Sequence, residues 1–339
     1  MIRILENISL KNFNTFGVEA KARYFAAISC YDALRSLIRE RKPADKRLLV
    51  MGGGSNLLFT GDFDGWILRN EIKGIEIVKE ADKHVLVKVG GGESWSDFVN
   101  LTVYHGWGGL ENLSLIPGTA GAAPVQNIGA YGVEQKDAFV SLEACNLMTG
   151  KICTFNRLGC NFGYRSSLFK VAEKGKWFVL NVTYRLQKKP ELNLGYAPLR
   201  KAFEGKPTEQ ITVKDVCDTV KSIRRSKLPD PQMLGNAGSF FKNPVVRQGK
   251  FNLLQQQFPE IPFYRLENEK VKIPAGWLIE QCGWKGKRMG DAGVHQRQAL
   301  VIVNFGRATG QEIRQLADAI QHAVSRQFDI ELEPEVLIL

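Results

Sequence analysis

GWGGLENLSLIPGTAGAAPVQNIGAYG, residues 106–132, is the most informative stretch of this chain. It contains seven glycines, and Glu111 is its only charged residue. A helix or strand interior does not tolerate this glycine density, and a surface linker would be more polar. Glycine next to alanine predicts backbone packed against something large and flat, and free N–H groups in such turns can bind phosphates. Tight turns in a β-rich protein would have the same composition, so both interpretations stay open.

A second glycine group lies in LLVMGGGSNLLFT, residues 48–60. Leu48 to Met51 predict a buried strand, and three glycines follow it directly. The dinucleotide-binding pattern GxGxxG would need glycine at position 57, where this chain has Leu57. A plain β-turn is the alternative, but a strand that runs straight into three glycines favours close approach of the backbone to a ligand.

Both glycine segments belong to an ordered series of motifs. The others are NTFGV at 14–18, YRSS at 164–167, KLPDP at 227–231, GNAGSFFKNP at 235–244 and EPEV at 333–336. This series closely resembles the UDP-N-acetylenolpyruvoylglucosamine reductase (MurB) family, in its longer subtype with a substrate-covering tyrosine loop. The resemblance extends from about residue 12 to residue 336. It implies an α+β chain with an FAD-binding fold of the vanillyl-alcohol-oxidase/PCMH type and a C-terminal α+β substrate-binding domain.

The resemblance also implies a division into three parts. Residues 1–70 are expected to form the first FAD-binding subdomain, with a return of residues 335–339 to it. Residues 71–212 are expected to form the second, and residues 213–334 the substrate-binding domain. The family usually continues beyond the position of Leu337 with arginine and another strand, so this return is short here.

FAD is the cofactor that the resemblance implies, with both glycine segments as its binding site. The backbone of the GGGSN element is expected to lie against the FAD diphosphate, and Ser55 and Asn56 offer side-chain hydrogen bonds. The expected FAD-binding residues are Gly52, Gly53, Gly54, Ser55, Asn56, Leu57, Ile116, Pro117, Gly118, Thr119, Gly121, Ala122, Gln126, Asn127, Gly129, Ala130 and Tyr131.

Three residues carry catalysis if the resemblance holds. Ser239 matches the proton donor to the substrate, although a single serine is usually structural. Arg165 matches the active-site arginine of the YRxS motif, and a planar permanent cation suits a carboxylate. The family often has aspartate where this chain has Ser166. Glu335 matches the catalytic glutamate, and Glu333 is the alternative if the register is different.

The implied reaction is a two-step reduction. NADPH reduces FAD, and the reduced flavin then passes hydride to the enolpyruvyl group of a UDP-sugar. Electrons move toward the substrate carboxylate, where preorganised cations or donors would stabilise the charge. The residues expected to bind this substrate are Tyr196, Arg224, Lys227, Asn243 and Gln298. The alternative within the same fold is an FAD-linked oxidoreductase that acts on an alcohol.

Composition limits the class of protein. The chain has 339 residues, a net charge of +11 and 44% hydrophobic residues, as in an ordinary globular protein. Its basic residues are scattered and form no nucleic-acid-binding motif. A solvated surface is therefore the first interpretation of the charge, a phosphate-bearing substrate the second and nucleic acid the third. No apolar run would span a membrane, and the N-terminus lacks the apolar core of a signal peptide. We expect a cytoplasmic monomer without a metal ion, whose six cysteines are reduced and mostly buried.

Local patterns predict several elements. Helical spacing predicts a helix over residues 32–41, and alternation predicts strands within residues 66–92. A capping box of Thr309 and Glu312 predicts a helix that buries an apolar face, and Ser94 and Asp97 predict another. The alternation in FDIEL, residues 328–332, predicts a strand.

Overall fold

The computed structural model describes residues 2–40 and 47–339. The chain divides into two compact units. The first comprises the chain up to Ile8, Ala22–Gly54 and Asp64–Ser226; the second comprises Ser9–Lys21, Ser55–Phe63 and Lys227–Leu339. The second unit therefore includes two short segments from the N-terminal part of the sequence.

Helices and strands alternate irregularly, as in an α+β protein. The helices are α1 (Tyr31–Glu40), α2 (Trp95–Tyr104), α3 (Ala197–Ala202), α4 (Val213–Lys227), α5 (Gln248–Gln257), α6 (Ala275–Gln281) and α7 (Gly310–Phe328). The strands are β1 (Ile4–Ser9), β2 (Lys21–Ile28), β3 (Arg47–Met51), β4 (Leu57–Leu58), β5 (Phe63–Asn70), β6 (Ile75–Glu80), β7 (His84–Gly90), β8 (Gly129–Ala130), β9 (Val133–Glu134), β10 (Phe139–Asn146), β11 (Ile152–Asn156), β12 (Trp177–Gln187), β13 (Gly235–Ser239), β14 (Val245–Arg247), β15 (Tyr264–Arg265), β16 (Lys270–Lys272), β17 (Arg288–Met289), β18 (Ala292–Val294), β19 (Val301–Asn304) and β20 (Leu337–Ile338).

A four-stranded sheet opens the first unit, in the order β1-β2-β5-β3. Strand β3 lies at one edge of this sheet and runs parallel to β5. The glycine group follows Met51, the last residue of β3. Helix α1 buries Leu34 and Leu37 together with Phe178 and Leu180 of β12. The helix predicted from residue 32 is thus confirmed from Tyr31 to Glu40, and Arg41 lies outside the described residues.

The second sheet of this unit is antiparallel, in the order β11-β10-β12-β7-β6. Three valines of β7, at 85, 87 and 89, face the core and are buried, as their alternation predicted. Helix α2 begins after Ser94, whose side chain accepts a hydrogen bond from the Asp97 N–H. It buries Trp95, Phe98, Val99 and Thr102 in the same core, which confirms the predicted apolar face.

The second unit buries the apolar face of α7, including Ile313, Leu316 and Ile320. Its largest sheet has the order β13-β19-β18-β17, and α7 packs on β18 and β19. The capping box at its start is present: Thr309 Oγ1 accepts from the Glu312 N–H, and Glu312 Oε2 accepts from the Thr309 N–H. A small sheet, β14-β16-β15, and the parallel pair of β4 and β20 complete the unit.

The strand predicted over FDIEL is wrong. Helix α7 continues through Phe328, and Asp329 ends it in the left-handed conformation with φ of 50°. Residues 330–333, all described, form no strand, although Ile330 and Leu332 are buried. The alternation reflects burial of every second side chain in an extended segment, and period-two burial does not require ladder pairing.

The six cysteines form no disulfide. Cys145, Cys160 and Cys217 are buried, whereas Cys30 and Cys153 are exposed, so the prediction of mostly buried thiols holds for only part of the set. Burial raises the pKa of Cys145 to about 11 and that of Cys160 to about 12, which keeps both as unreactive thiols. None of the helices in the described ranges is long and apolar enough to cross a bilayer.

Candidate active site

The glycine segment at 106–132 lies against the turn that follows β7. Gly121 donates its N–H to the carbonyl oxygen of Gly91 at 2.9 Å, and Ala120 donates to that of Glu93 at 2.9 Å. A Cβ on Gly121 would lie 2.8 Å from the Gly91 oxygen. Only glycine allows this approach, so the segment is built for backbone packing, as its composition predicted.

Glu111, the one charged residue in this segment, is buried and hydrogen-bonded to the backbone. Glu111 is 3% exposed, and its Oε2 accepts a hydrogen bond from the Gly109 N–H at 2.6 Å. Burial raises the pKa of Glu111, and hydrogen bonds from the backbone oppose that rise. This residue therefore closes the turn at the start of the segment.

The first glycines of the GGGSN element lie against the same segment. A Cβ on Gly52 would lie 2.4 Å from Thr119 Oγ1, and one on Gly53 would lie 3.1 Å from the Cα of Gly118. Thr119 Oγ1 is buried and has no hydrogen-bond partner in the described chain. Two apposed glycine turns with an unsatisfied hydroxyl suit a phosphate-bearing cofactor, since buried polar groups normally have partners. The residues present thus fit FAD.

Arg165 lies at the tip of a tight turn in the first unit. Gly163 and Ser166 exchange main-chain hydrogen bonds at 3.0 and 3.2 Å across this turn, and Arg165 has φ of 53°. Its Nη2 donates to the carbonyl oxygen of Gly129 in the glycine segment. A non-glycine residue in the left-handed region is uncommon and is maintained only by its surroundings.

Buried Asn127 provides those surroundings. Its Nδ2 donates to the carbonyl oxygen of Gly163 and to Glu134 Oε2, both at 3.0 Å. Ser167, 2% exposed, donates its hydroxyl to the carbonyl oxygen of Val125. The YRSS turn is therefore anchored to the glycine segment on both sides of Arg165. The anchoring role of Ser167 could not be read from sequence, where a serine near a turn has no distinctive pattern.

Arg224 and Tyr131 form a further polar cluster in the first unit. Arg224 Nε donates to the carbonyl oxygen of Leu115 at 3.2 Å, and its guanidinium lies near the phenol of Tyr131. Burial lowers the pKa of Arg224, and the neighbouring phenol partly offsets this; an arginine nevertheless stays cationic at neutral pH. Tyr196 packs edge to face on Tyr131 at 5.2 Å. Three predicted ligand-binding residues are thus adjacent.

A buried asparagine that sequence reasoning missed supports this cluster. Asn112 is 1% exposed, and its Nδ2 donates to the carbonyl oxygens of Tyr131 and Asn193, both at 2.9 Å. It thereby links the glycine segment to the segment that carries Tyr196. The only sequence signal was an amide side chain within an otherwise apolar stretch.

Ser239 ends β13 in the second unit, opposite Val301 of β19. A bulge separates it from Asn236, and Gly238 within the bulge has φ of 70°. Asn236 is 2% exposed; its Oδ1 accepts from the Gly238 N–H at 2.9 Å. A β-bulge changes the direction of the side chains that follow it. Here the Asn236 side chain stabilises the bulge that precedes Ser239. Sequence reasoning also missed Asn236.

The two candidate glutamates occupy different environments. Glu335 is half-buried and donates its N–H to the carbonyl oxygen of Phe240, the residue after Ser239, at 2.8 Å. Glu333 is exposed and forms an ion pair with Lys242 at 2.5 Å. Both glutamates lie on the segment that pairs with residues 240–242, since the Glu333 carbonyl oxygen accepts from the Lys242 N–H at 2.9 Å. They differ in exposure: the Glu333 residue is exposed and Glu335 is half-buried.

Asn243 and Gln298 both contact the first turn of α6. Asn243 Oδ1 accepts from the Ala275 N–H at 2.9 Å, and a Cβ on Gly276 would lie 3.1 Å from Gln298 Oε1. The tertiary structure thus brings together two residues 55 positions apart, since 298 − 243 = 55. Lys227 is exposed at the end of α4.

Two family models match the chain. One, described as an FAD binding domain, matches residues 22–156; the other, described as UDP-N-acetylenolpyruvoylglucosamine reductase, C-terminal domain, matches residues 230–339. The UDP-N-acetylenolpyruvoylglucosamine reductase of Flavobacterium johnsoniae is 48% identical over the full length of both chains. The chain belongs to the UDP-N-acetylenolpyruvoylglucosamine reductase family.

Solved structures agree in fold. The UDP-N-acetylenolpyruvylglucosamine reductase of Thermus caldophilus is 22% identical and superposes with a TM-score of 0.70, covering 100% of this chain and 98% of its own. A p-cresol methylhydroxylase, 11% identical, has a TM-score of 0.50 over 93% of this chain and 82% of its own. The predicted α+β architecture with an FAD-binding fold of the vanillyl-alcohol-oxidase/PCMH type is confirmed, as is membership of the reductase family.

The predicted site residues of this reductase family divide between the two units. Gly52–Gly54, the glycine segment, Arg165, Tyr196 and Arg224 belong to the first unit; Ser55, Asn56, Leu57, Lys227, Ser239, Asn243, Gln298 and Glu335 belong to the second. Among the described residues, no three His, Cys, Asp or Glu side chains form a group that could hold a metal ion. The predicted residues carry hydroxyl, amide, carboxyl, ammonium and guanidinium groups.

Proposed function

We propose that this chain uses FAD and NADPH to reduce UDP-N-acetylglucosamine enolpyruvate to UDP-N-acetylmuramate, a step in the synthesis of peptidoglycan precursors. The observation that carries the proposal is 48% identity over the full length of a reductase of this family. Bound FAD would accept hydride from NADPH and deliver it to the enolpyruvyl group. The two glycine turns around Thr119 would hold it.

The catalytic roles proposed for Arg165, Ser239 and Glu335 follow from their chemistry. Hydride addition to the enolpyruvyl double bond sends negative charge to the substrate carboxylate, which a fixed cation and a carboxyl proton would stabilise. Arg165 supplies the cation and Glu335, half-buried, the carboxyl. Ser239 then donates the proton to the adjacent carbon. Its position after a bulge that Asn236 anchors supports a directed hydroxyl.

We propose that the remaining predicted residues bind the nucleotide sugar. Arg224 and Lys227 offer cations to the diphosphate, and arginine and lysine are the usual partners of phosphate. The adjacency of Asn243 and Gln298 at α6 supports a common polar contact. Tyr196, packed on Tyr131, is proposed to contact the substrate from its own loop.

The protein is proposed to act as a cytoplasmic monomer that binds no nucleic acid. Scattered basic residues and the absence of a nucleic-acid-binding motif support this. Size-exclusion chromatography with light scattering tests the oligomeric state. A binding assay with a labelled duplex tests whether the protein binds nucleic acid.

An anaerobic absorbance trace tests the function. NADPH is added to purified protein, then the enolpyruvyl nucleotide, while the flavin band is followed. The proposal expects bleaching by NADPH and return of the colour with the nucleotide. A reduced flavin that the nucleotide does not reoxidise would contradict the assigned substrate, and protein that binds no FAD would contradict the cofactor.

A further inference from the structure

The main chain of Glu335 is held by hydrogen bonds on both sides of the residue. Its N–H donates to the carbonyl oxygen of Phe240 at 2.8 Å. Its own carbonyl oxygen accepts from Nδ2 of Asn56 at 3.1 Å. Phe240 follows Ser239 directly, so one of the two bonds connects Glu335 to the strand end that carries the proposed proton donor.

Asn56 contacts the same segment again through its backbone. Its carbonyl oxygen accepts from the Leu337 N–H at 3.0 Å, and Leu58 accepts in the same way from the Leu339 N–H at 2.9 Å. These are the ladder bonds of the parallel pair β4 and β20. Thr60 closes the pair, since its N–H and its hydroxyl donate to the carbonyl oxygen of Leu339 at 2.9 and 2.6 Å.

This strand pair is short. Strand β20 comprises only Leu337 and Ile338, and two-residue ladders have little stability of their own. The Asn56 amide adds a hydrogen bond two residues before the ladder begins, at the residue whose side chain the reaction is proposed to use. A side-chain donor to a main-chain carbonyl fixes the peptide plane and therefore the direction of the Cα–Cβ bond.

We propose that Asn56 is a positioning residue whose side-chain amide fixes the Glu335 backbone and thereby aims its carboxyl group. This inference rests on the proposed function, because it assigns Glu335 a role in the reaction. It differs from the cofactor contact expected for Asn56 from sequence: the described amide nitrogen is directed to Glu335. The expected consequence is a slower reaction with the nucleotide and not weaker binding of FAD.

Two variants separate these roles. Asn56→Asp keeps the size of the side chain but removes the N–H donor and places an oxygen against the Glu335 carbonyl; Asn56→Ala removes both. The matched control is Gln321→Ala. Gln321 Nε2 donates to the carbonyl oxygen of Leu332 at 2.7 Å, so this control loses the same kind of bond to the same segment without touching Glu335.

The measurements are FAD affinity, the rate at which NADPH bleaches the flavin, and the rate of reoxidation over a range of nucleotide concentrations. For both Asn56 variants we expect the limiting rate of reoxidation to fall by about 10- to 100-fold, the scale of a misplaced catalytic group. The half-saturating nucleotide concentration, the FAD affinity and the bleaching rate should stay at wild-type values. A merely structural role would lower FAD affinity and both rates together.

Amide hydrogen exchange provides a readout that needs no substrate. The peptide that covers residues 335–339 should exchange faster in Asn56→Asp than in the wild type or in Gln321→Ala. Unchanged exchange, or a wild-type limiting rate in both Asn56 variants, would overturn the inference. So would a loss of FAD affinity with a normal limiting rate at saturating FAD, which would return Asn56 to the cofactor.

The wild-type trace keeps the two proposals apart. Wild-type protein that the nucleotide does not reoxidise counts against the proposed function itself. Reoxidation that is normal in the wild type and equally fast in the Asn56 variants counts against the positioning role alone.

Discussion

Gly121 and Gly91 are in direct main-chain contact: the Gly121 N–H donates to the Gly91 carbonyl oxygen at 2.9 Å, and a Cβ on Gly121 would lie 2.8 Å from that oxygen and 2.9 Å from the Gly91 Cα. Both obstacles belong to the backbone, and Gly91 is itself held by a hydrogen bond from its N–H to the carbonyl oxygen of Leu180 at 2.8 Å. Backbone atoms cannot move aside as a flexible side chain can, so this contact fixes the glycine segment against the second sheet of the first unit.

Gly121→Ala should therefore displace the glycine segment and lower the affinity for FAD. Overpacking at a rigid contact costs about 1–3 kcal/mol in the free energy of unfolding. The measurement is flavin content after purification, followed by FAD titration and thermal unfolding. Gly61→Ala is the control, because a Cβ there meets nothing within 4 Å. Full flavin content in Gly121→Ala would contradict the cofactor role of this segment.

Ser239→Ala should separate the two half-reactions. The alanine variant keeps the bulge, which Asn236 and Gly238 form, so FAD should bind and NADPH should bleach it normally. Reoxidation by the nucleotide should slow by roughly 10²- to 10⁴-fold, the usual contribution of a proton-transfer group. Stopped-flow absorbance measures both steps. Ser226→Ala, which removes a hydroxyl that donates to the carbonyl oxygen of Ile223 within α4, should leave both rates unchanged.

The register of the catalytic glutamate can be tested with a pair of isosteric variants. Glu335→Gln should slow reoxidation by the same order as loss of an acid–base group, roughly 10²-fold or more. Glu333→Gln should leave the rate at the wild-type value, since that side chain is exposed and paired with Lys242. Single-turnover reoxidation at saturating nucleotide measures both. A slow Glu333 variant beside a normal Glu335 variant would move the assignment to Glu333.

His295 should make stability depend on pH. It is 9% exposed, and burial, then the charge of Arg297, lowers its pKa. The unfolded chain binds a proton at His295 near its ordinary pKa of 6.5, and the folded chain binds it only at lower pH. The contribution of neutral His295 to the free energy of unfolding is therefore complete above about pH 6.5. It is lost as the pH falls through the lowered pKa that His295 has in the folded chain.

The measurement is urea unfolding of the wild type and of His295→Gln between pH 8 and pH 5. The free energy of unfolding of the wild type should fall relative to that of the glutamine variant as the medium becomes more acidic. A difference that stays constant, or that widens in favour of the wild type at low pH, would show that His295 is not buried in its neutral form.

Local elements were predictable because their signals are local. The valines of β7 alternate, the apolar face of α7 repeats every three to four residues behind its capping box, and the glycine density of residues 106–132 excluded regular structure. The FDIEL segment shows the limit of this reasoning. Its alternation is real, but whether an extended segment pairs in a ladder depends on which strand lies beside it.

The motifs predict the candidate site residues by type, but they do not predict the contacts that those residues make. Glu333 and Glu335 lie two positions apart in the sequence, within one short motif. The tertiary structure distinguishes them, since Glu333 is exposed and paired with Lys242 whereas Glu335 is half-buried. Asn112 and Asn236 went unnoticed because a buried amide has no periodicity. Each acts on carbonyl and N–H groups whose positions the fold sets.

The ordered motifs, through their resemblance to a known family, were enough to predict the family and the cofactor. Periodicity predicted several helices and strands, because short-range sterics and burial act on neighbouring residues. The tertiary structure determined the hydrogen-bond partner of the Asn56 side chain, because Glu335 is 279 positions away along the chain. The sequence contains no short-range signal for such a hydrogen bond, since its geometry exists only after β4 and β20 have paired and the cores have closed. The tertiary structure alone therefore determined what holds the proposed catalytic glutamate in place.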